Sequence, residues 1–246
     1  MQALIDFLGA YEPRYLQVVK GYPTAAIARL EAALGRPAPA AYRDFLATAA
    51  ANVGFPLYDL TFDLDEVIEL VLDKQPMLTD FSHLLTPIAI DQSPSYADYY
   101  LHLGRPAGQG DGEIVRSGAG SAGFDDMREY PSLRDMLFFW GFERVRKLTL
   151  PHKCWVAWER PDFADPSAAP SLAGLRGILA QLGFRALGVT GPTMPLYERG
   201  DCAASVFQPV GGVSFAIYLA ANDPRAVRIV AETLCDQMPG RGKLRE

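Results

Sequence analysis

Apolar side chains recur every three or four positions through the first fifty residues, the spacing that lines them along one side of an α-helix. Leu4 and Leu8, then Leu16 and Val19, carry the pattern from Met1 to Val19, and Pro13 divides it into two short helical pieces. Gly21-Tyr22-Pro23 is a break. Thr24 stands where an N-cap belongs, ahead of Ile27, Leu30 and Leu34, and Gly35 follows as a left-handed stop. Pro37 and Pro39 lead into a helix with Tyr42, Phe45, Leu46 and Ala49 on one face. Residues 57–62 alternate instead, the period of a strand. Asp63-Leu64-Asp65-Glu66 fits a capping box and opens a helix with Leu64, Ile68 and Val71 inward. Short strands are predicted at 88–90, 99–103 and 113–116, with glycine-rich loops around the last two. Pro131-Ser132 then starts a helix that buries Leu133, Met136, Leu137 and Trp140.

The pattern changes after the basic stretch Arg144, Arg146, Lys147. Residues 152–159 read as a strand and 161–170 as a Pro/Ala/Asp loop. Ser171 caps a helix carrying Leu172, Leu175, Leu179 and Leu182, closed by Gly183. A strand is expected at 185–190. Segments 203–209 and 213–219 flank Gly211-Gly212, a hairpin signal. Asp223 followed by Pro224 begins a helix running to about Met238. The order βαββα is close to a ferredoxin-like half-unit. The tail 241–246 is expected to fray. No internal repeat is visible, and the change of pattern divides the chain into domains 1–147 and 148–246.

At 246 residues, 49% hydrophobic and 21% charged, the chain can bury a real core, which argues against global disorder. No apolar run approaches the roughly 20 residues that cross a bilayer. The start holds Asp6 and no basic cluster, unlike a signal peptide, so a cytoplasmic location is the expectation. Cys154, Cys202 and Cys235 are too scattered for a disulfide framework or a metal site and are expected to pack as small hydrophobes. The net charge of −6 is uneven: residues 1–147 carry 20 acids against 13 bases, residues 148–246 carry 9 against 10. Between 57 and 101, nine acids (Asp59, Asp63, Asp65, Glu66, Glu69, Asp73, Asp80, Asp91, Asp98) face one base, Lys74. Such a field repels nucleic acid and favours a basic partner.

Signals for catalysis are weak. Residues 118–123 match G-x-G-x-x-G, but a dinucleotide site needs that turn to run from a strand directly into a helix, and the next helix start is Ser132. His83, His102 and His152 have no ligand spacing to one another or to a cysteine. There is no Gly-x-Ser-x-Gly elbow or P-loop. The carboxylates at Asp63, Asp65, Glu66 and Glu69, and at Asp125 and Asp126, are explained by capping and solvated faces. No catalytic residue, cofactor or metal is expected.

Ile27, Leu30, Glu31, Leu34 and Gly35, then Pro39, Tyr42, Arg43, Phe45 and Leu46, reproduce the order Ile-x-x-Leu-Glu-x-x-Leu-Gly, Pro, Tyr-Arg-x-Phe-Leu. This resembles the opening of the SMI1/KNR4 family, or SUKH superfamily. The later order is similar: a strand into Asp91, a polar turn, a strand at 99–103, Gly112-Glu113-Ile114-Val115, and a helix from Ser132. Ala38 replaces the usual Leu before Pro39, and Asn52-Val53-Gly54 replaces the usual Asn-Gly. The resemblance covers roughly residues 20–140 and leaves the rest unexplained. It implies an α+β fold with a mixed, mostly antiparallel sheet and packed helices, followed here by the smaller C-terminal unit. It also implies a role: bacterial members are often immunity proteins that neutralise toxins, and some relatives are regulators or scaffolds.

The expected function is therefore binding and neutralising a cognate toxin, with a non-toxin regulatory or scaffold role as the alternative. A basic nuclease is one toxin the acidic stretch would suit. Asp63 and Glu66 are assigned to capping. Asp59, Asp65, Glu69, Asp73, Asp91 and Asp98 are the candidate contacts, with Tyr96 and Tyr99 as aromatic anchors, since aromatics anchor an interface while charges steer it. The same run also reads as a solvated face.

Overall fold

The computed structural model describes residues 1–57, 59–74, 84–93, 97–108, 110–118, 127–158, 170–239 and 242–245. The chain forms two α+β units, Met1–Leu137 and Phe138–Glu246, so the division falls inside a helix and ahead of the basic stretch where the sequence pattern changes.

The first unit contains α1 (Gln2–Gly9), α2 (Tyr15–Val18), α3 (Thr24–Leu34), α4 (Ala40–Thr48), β1 (Leu60–Thr61), α5 (Leu64–Lys74), β2 (Leu85–Asp91), β3 (Ala97–Gly108), β4 (Asp111–Gly118), β5 (Met127–Tyr130) and the start of α6 (Leu133–Gly141). Its strands pair antiparallel in the order β1-β2-β3-β4-β5. Pro13 separates α1 from α2 as expected. Thr24 is the first helical residue rather than a cap; Pro23 holds the cap position and supplies no side-chain bond. Gly35 ends α3 at φ 66, in the left-handed region that favours glycine. Glu31 then organises the turn, accepting from Ala38 N at 3.1 Å and pairing with Arg43 at 3.5 Å. Ile27 and Leu30 on α3, and Tyr42, Phe45 and Leu46 on α4, are buried, and the Phe45 ring meets Phe62 edge-on at 4.9 Å.

Backbone contacts lock the N-terminal segment onto the end of α4. Lys20 and Asn52 exchange two main-chain hydrogen bonds of 2.9 Å, and Tyr22 N donates to Leu46 O at 2.7 Å. Between them Gly21 lies so close to α4 that a Cβ there would sit 1.9 Å from Ala47 O. The predicted strand at 57–62 shrinks to β1. Asp63 caps α5, its Oδ1 accepting from Asp65 N at 2.9 Å and Glu66 N at 3.2 Å. The other half of the capping box does not form: Asp63 N donates to Thr61 Oγ1, and Glu66 accepts from Gln92. The buried face of α5 is Leu64, Val67 and Val71, while Ile68 is half-buried.

The start of α6 is tied to the sheet. Asp111, at the head of β4, accepts from Leu133 N at 3.0 Å and Arg134 N at 3.1 Å, and Ser132 Oγ accepts from Asp135 N at 2.9 Å. Three of the four amides orphaned at a helix start thus have side-chain acceptors. Leu133, Met136 and Leu137 are buried as predicted, and Trp140 is half-buried.

The second unit runs from the end of α6 through a π-helical turn (Phe142–Arg146) and a 3-10 turn (Lys147–Thr149). It continues with β6 (His152–Trp158), α7 (Leu172–Gln181), β7 (Arg185–Ala186), β8 (Leu196–Arg199), β9 (Cys202–Phe207), β10 (Phe215–Ala221), α8 (Pro224–Gln237) and β11 (Lys243–Arg245). The sheet is antiparallel in the order β11-β6-β10-β9-β8-β7. With β7 and β8 set aside, β6-α7-β9-β10-α8-β11 in the order β11-β6-β10-β9 is a complete ferredoxin-like split βαβ, more than the half-unit expected. The tail supplies the missing strand, for Leu244 lies opposite Val156. Ser171 and Asp223 cap α7 and α8 as predicted. The expected strand at 185–190 is reduced to β7.

Alternation sorts this sheet into two faces. One carries Val156, Trp158, Ile217 and Leu219 against Leu175 and Leu179 of α7 and Val230 and Leu234 of α8. The other carries Trp155, Ser205 and Tyr218, with Phe139 6.3 Å from the Tyr218 ring.

Candidate functional site

Four of the predicted contact acids lie on one exposed stretch. Asp59 precedes β1, and Asp65, Glu69 and Asp73 follow one another along α5; all four are exposed. The spacing of four residues puts the helical acids in one stripe. Leu72 stands in that stripe with 54% of its surface exposed. Asp65 pairs with Arg29 of α3 at 2.9 Å, and both side chains are largely in water. Val67 and Val71 on the buried side hold α5 in the orientation that presents this stripe.

Asp91, Asp98 and Tyr99 are not part of that face. All three are buried, and the structure uses them internally. Asp91 Oδ2 accepts from Arg116 at 3.1 Å, and Asp98 Oδ1 accepts from Asp91 N at 3.3 Å. Arg116 also reaches Glu129 at 3.2 Å and lies 5.1 Å from the centre of the Tyr99 ring. Burial pushes the Tyr99 hydroxyl up to about 12. Burial also raises the Glu129 carboxyl above its ordinary value, against the pull of Arg116. A charge held among such partners is costly to move, so these groups serve the sheet rather than an outside surface. Tyr96 lies outside the described residues.

Arg116 and Glu129 had no place in the sequence-derived site. Arg116 stands in a predicted strand and Glu129 in β5, which has no clear pattern of its own. Leu72 was also overlooked, though the spacing Asp65, Glu69, Leu72, Asp73 is itself the helical signal.

A second polar cluster lies in the C-terminal unit. Lys147 is almost wholly buried, and its Nζ donates to Glu143 Oε1 at 2.7 Å, Ser205 Oγ at 3.2 Å and Tyr218 O at 2.9 Å. Ser205 Oγ donates in turn to Glu143 Oε1. Burial lowers the Lys147 amine below its ordinary value, with Glu143 opposing. The π-helical turn sets Glu143 and Lys147 over the same strands. Three donors meet three acceptors, which is how a buried ammonium is satisfied.

Most of the glycine run 118–123, with Asp125 and Asp126, lies outside the described residues, as does His83. Chain on its far side resumes as β5, a strand. His102 Nδ1 accepts from Gly104 N at 3.1 Å. The three cysteines are free, with Cys154 and Cys202 buried. Among the described residues no group of three or more His, Cys, Asp or Glu side chains is placed to hold a metal ion, and no helix is long and apolar enough to cross a membrane.

No protein-family model matches the chain, and comparison with curated proteins and with solved structures returns no match either.

Proposed function

We propose that this chain is an immunity-type protein that binds a cognate bacterial toxin and blocks it by occupying its surface, without a cofactor. The observation that carries the reading is the behaviour of the residues that resemble the SUKH opening. Gly35 turns the chain, Glu31 bridges Ala38 N and Arg43, and the apolar members pack inward as one two-helix unit. The exposed acids Asp59, ahead of β1, and Asp65, Glu69 and Asp73, along α5, are the contact residues of this proposal, steering a basic toxin while Leu72 supplies apolar contact.

The test is coexpression with the product of a toxin-like reading frame beside the gene. Growth is expected to recover, and the two purified proteins to co-elute as a complex. Arrested growth with no complex overturns the proposal. The alternative, a regulatory or scaffold protein, draws on the separately packed ferredoxin-like unit, which the resemblance does not cover.

A further inference from the structure

Two opposite faces run the length of α8. Val227, Val230, Ala231 and Leu234 are buried in the core of the C-terminal unit, and Met238 joins them just past the helix. On the other side Arg225, Ile229, Glu232 and Asp236 follow one another at intervals of three or four residues, and all four are exposed. Ile229 has 59% of its surface in water, and among the described residues no large apolar side chain is more exposed.

The charges of this stripe run against the helix that carries them. Aligned peptide dipoles leave the start of a helix positive and its end negative, so acids suit the first turn and bases the last. Arg225 stands in the first turn of α8 and Asp236 in the last; apart from the cap Asp223, no acid opens the helix and no base closes it. Among the described residues Arg225, Glu232 and Asp236 form no ion pair. An order that opposes the dipole of one helix becomes complementary when two such helices meet antiparallel, because the basic start of each then lies beside the acidic end of the other.

We propose that α8 is the contact between two copies of this chain, paired antiparallel about a two-fold axis at Ile229. At about 1.5 Å per residue, Arg225 lies about 6 Å along the helix from Ile229; in the antiparallel partner Glu232 lies about 4.5 Å and Asp236 about 10.5 Å to the same side. Each Arg225 therefore falls between the partner's Glu232 and the partner's Asp236, and the two-fold axis repeats the contact at the other end. At the centre Ile229 meets its own copy, removing its exposed apolar surface from water. Arg228 lies on the same side of the helix, and the pairing does not call on it. A single helix of 14 residues offers less than the roughly 800 Å² per partner of a standard interface, so the dimer is reversible rather than permanent.

Sedimentation velocity of the full chain at low salt, across a concentration series, tests this. Half-association is expected at about 10–100 μM, and added salt should weaken it. Ile229→Asp should abolish the dimer. Arg225→Glu and Glu232→Arg should each weaken self-association about tenfold or more, since like charges then face each other at both ends. Mixed together, these two variants should form a heterodimer close to wild type in strength, because every facing pair is again opposite in sign. All three side chains are exposed, so the fold should survive, as circular dichroism will check. A monomer throughout the series overturns the proposal. So does an Ile229→Asp dimer as tight as wild type, or a mixture of the charge variants that associates no better than either alone.

Discussion

Arg116 reaches from β4 across the face of β3 to Asp91 at the end of β2, closing an ion pair of 3.1 Å over the ring of Tyr99. Glu129 of β5 binds the same guanidinium, so one side chain ties together residues from four neighbouring strands. Arg116→Met would leave two largely buried carboxylates without their cation. It should cost about 1–3 kcal/mol, less than a fully buried pair because the guanidinium retains some solvent contact. Urea denaturation measures this, and an unchanged midpoint would show that the clamp does not stabilise the sheet.

Glu129 also sets a pH dependence. Its folded pKa lies above its ordinary 4.5, so the folded state holds the proton more readily than the unfolded one. Its contribution to stability is therefore greatest below 4.5 and declines as pH rises toward the raised folded value. Glu129→Gln should flatten that part of the stability profile, although other carboxylates still titrate. Denaturation at pH steps between 4 and 7 reads the difference between variant and wild type. Parallel profiles would remove Glu129 from the account.

The two-helix unit depends on its apolar stripes. Leu30 and Phe45 are fully buried, and Leu30→Ala or Phe45→Ala should each cost about 2–5 kcal/mol through lost burial and a cavity. If neither changes the melting temperature, these side chains do not hold the unit together.

Two glycines near the same helices should respond differently to alanine. Gly35 has open space around it but a left-handed backbone, so Gly35→Ala should cost about 1–2 kcal/mol. Gly21→Ala drives a Cβ into the backbone at Ala47 and Thr48 and should cost more, since backbone cannot rotate away as a side chain can. Equal losses of stability would mean that the N-terminal segment separates from α4 without penalty.

In the C-terminal unit, Lys147→Met should cost about 3–5 kcal/mol, because Glu143 and Ser205 lose their shared donor. Lys147→Met combined with Glu143→Leu should recover much of that loss, since no uncompensated charge then remains near the sheet. A double-mutant cycle in urea measures the coupling, and simple additivity would refute a mutual dependence of the two groups.

The acids of the first unit should divide by burial. Replacing Asp59, Asp65, Glu69 and Asp73 together with Asn or Gln should leave the melting temperature nearly unchanged. Association with the proposed toxin should become slower and less sensitive to salt. Asp91→Asn should instead lower stability through the Arg116 clamp. Stopped-flow rates against ionic strength, with melting curves, separate the two sets. An unchanged rate and salt slope would make the α5 stripe a solvated face.

The helices were legible in the sequence because their signals are local. Ile27, Leu30 and Leu34 recur at helical spacing, Pro39 precedes α4, Gly35 closes α3, and Ser171 and Asp223 cap α7 and α8 with their own side chains. The α+β class followed from the alternation between such stretches and short strands. Tertiary structure alone decided which acids face water: Asp73 and Asp91 look alike in a run of carboxylates, and only the approach of Arg116 from β4 takes Asp91 inside. Pairing between distant segments likewise made β11 into a strand, because it gains its backbone partners from β6, about ninety residues earlier in the chain. Lys147 carries the same lesson. It reads as part of a basic surface stretch, yet a π-helical turn and the acceptors on Glu143, Ser205 and Tyr218 draw it into the interior, where its charge is held by groups that no local pattern brings together.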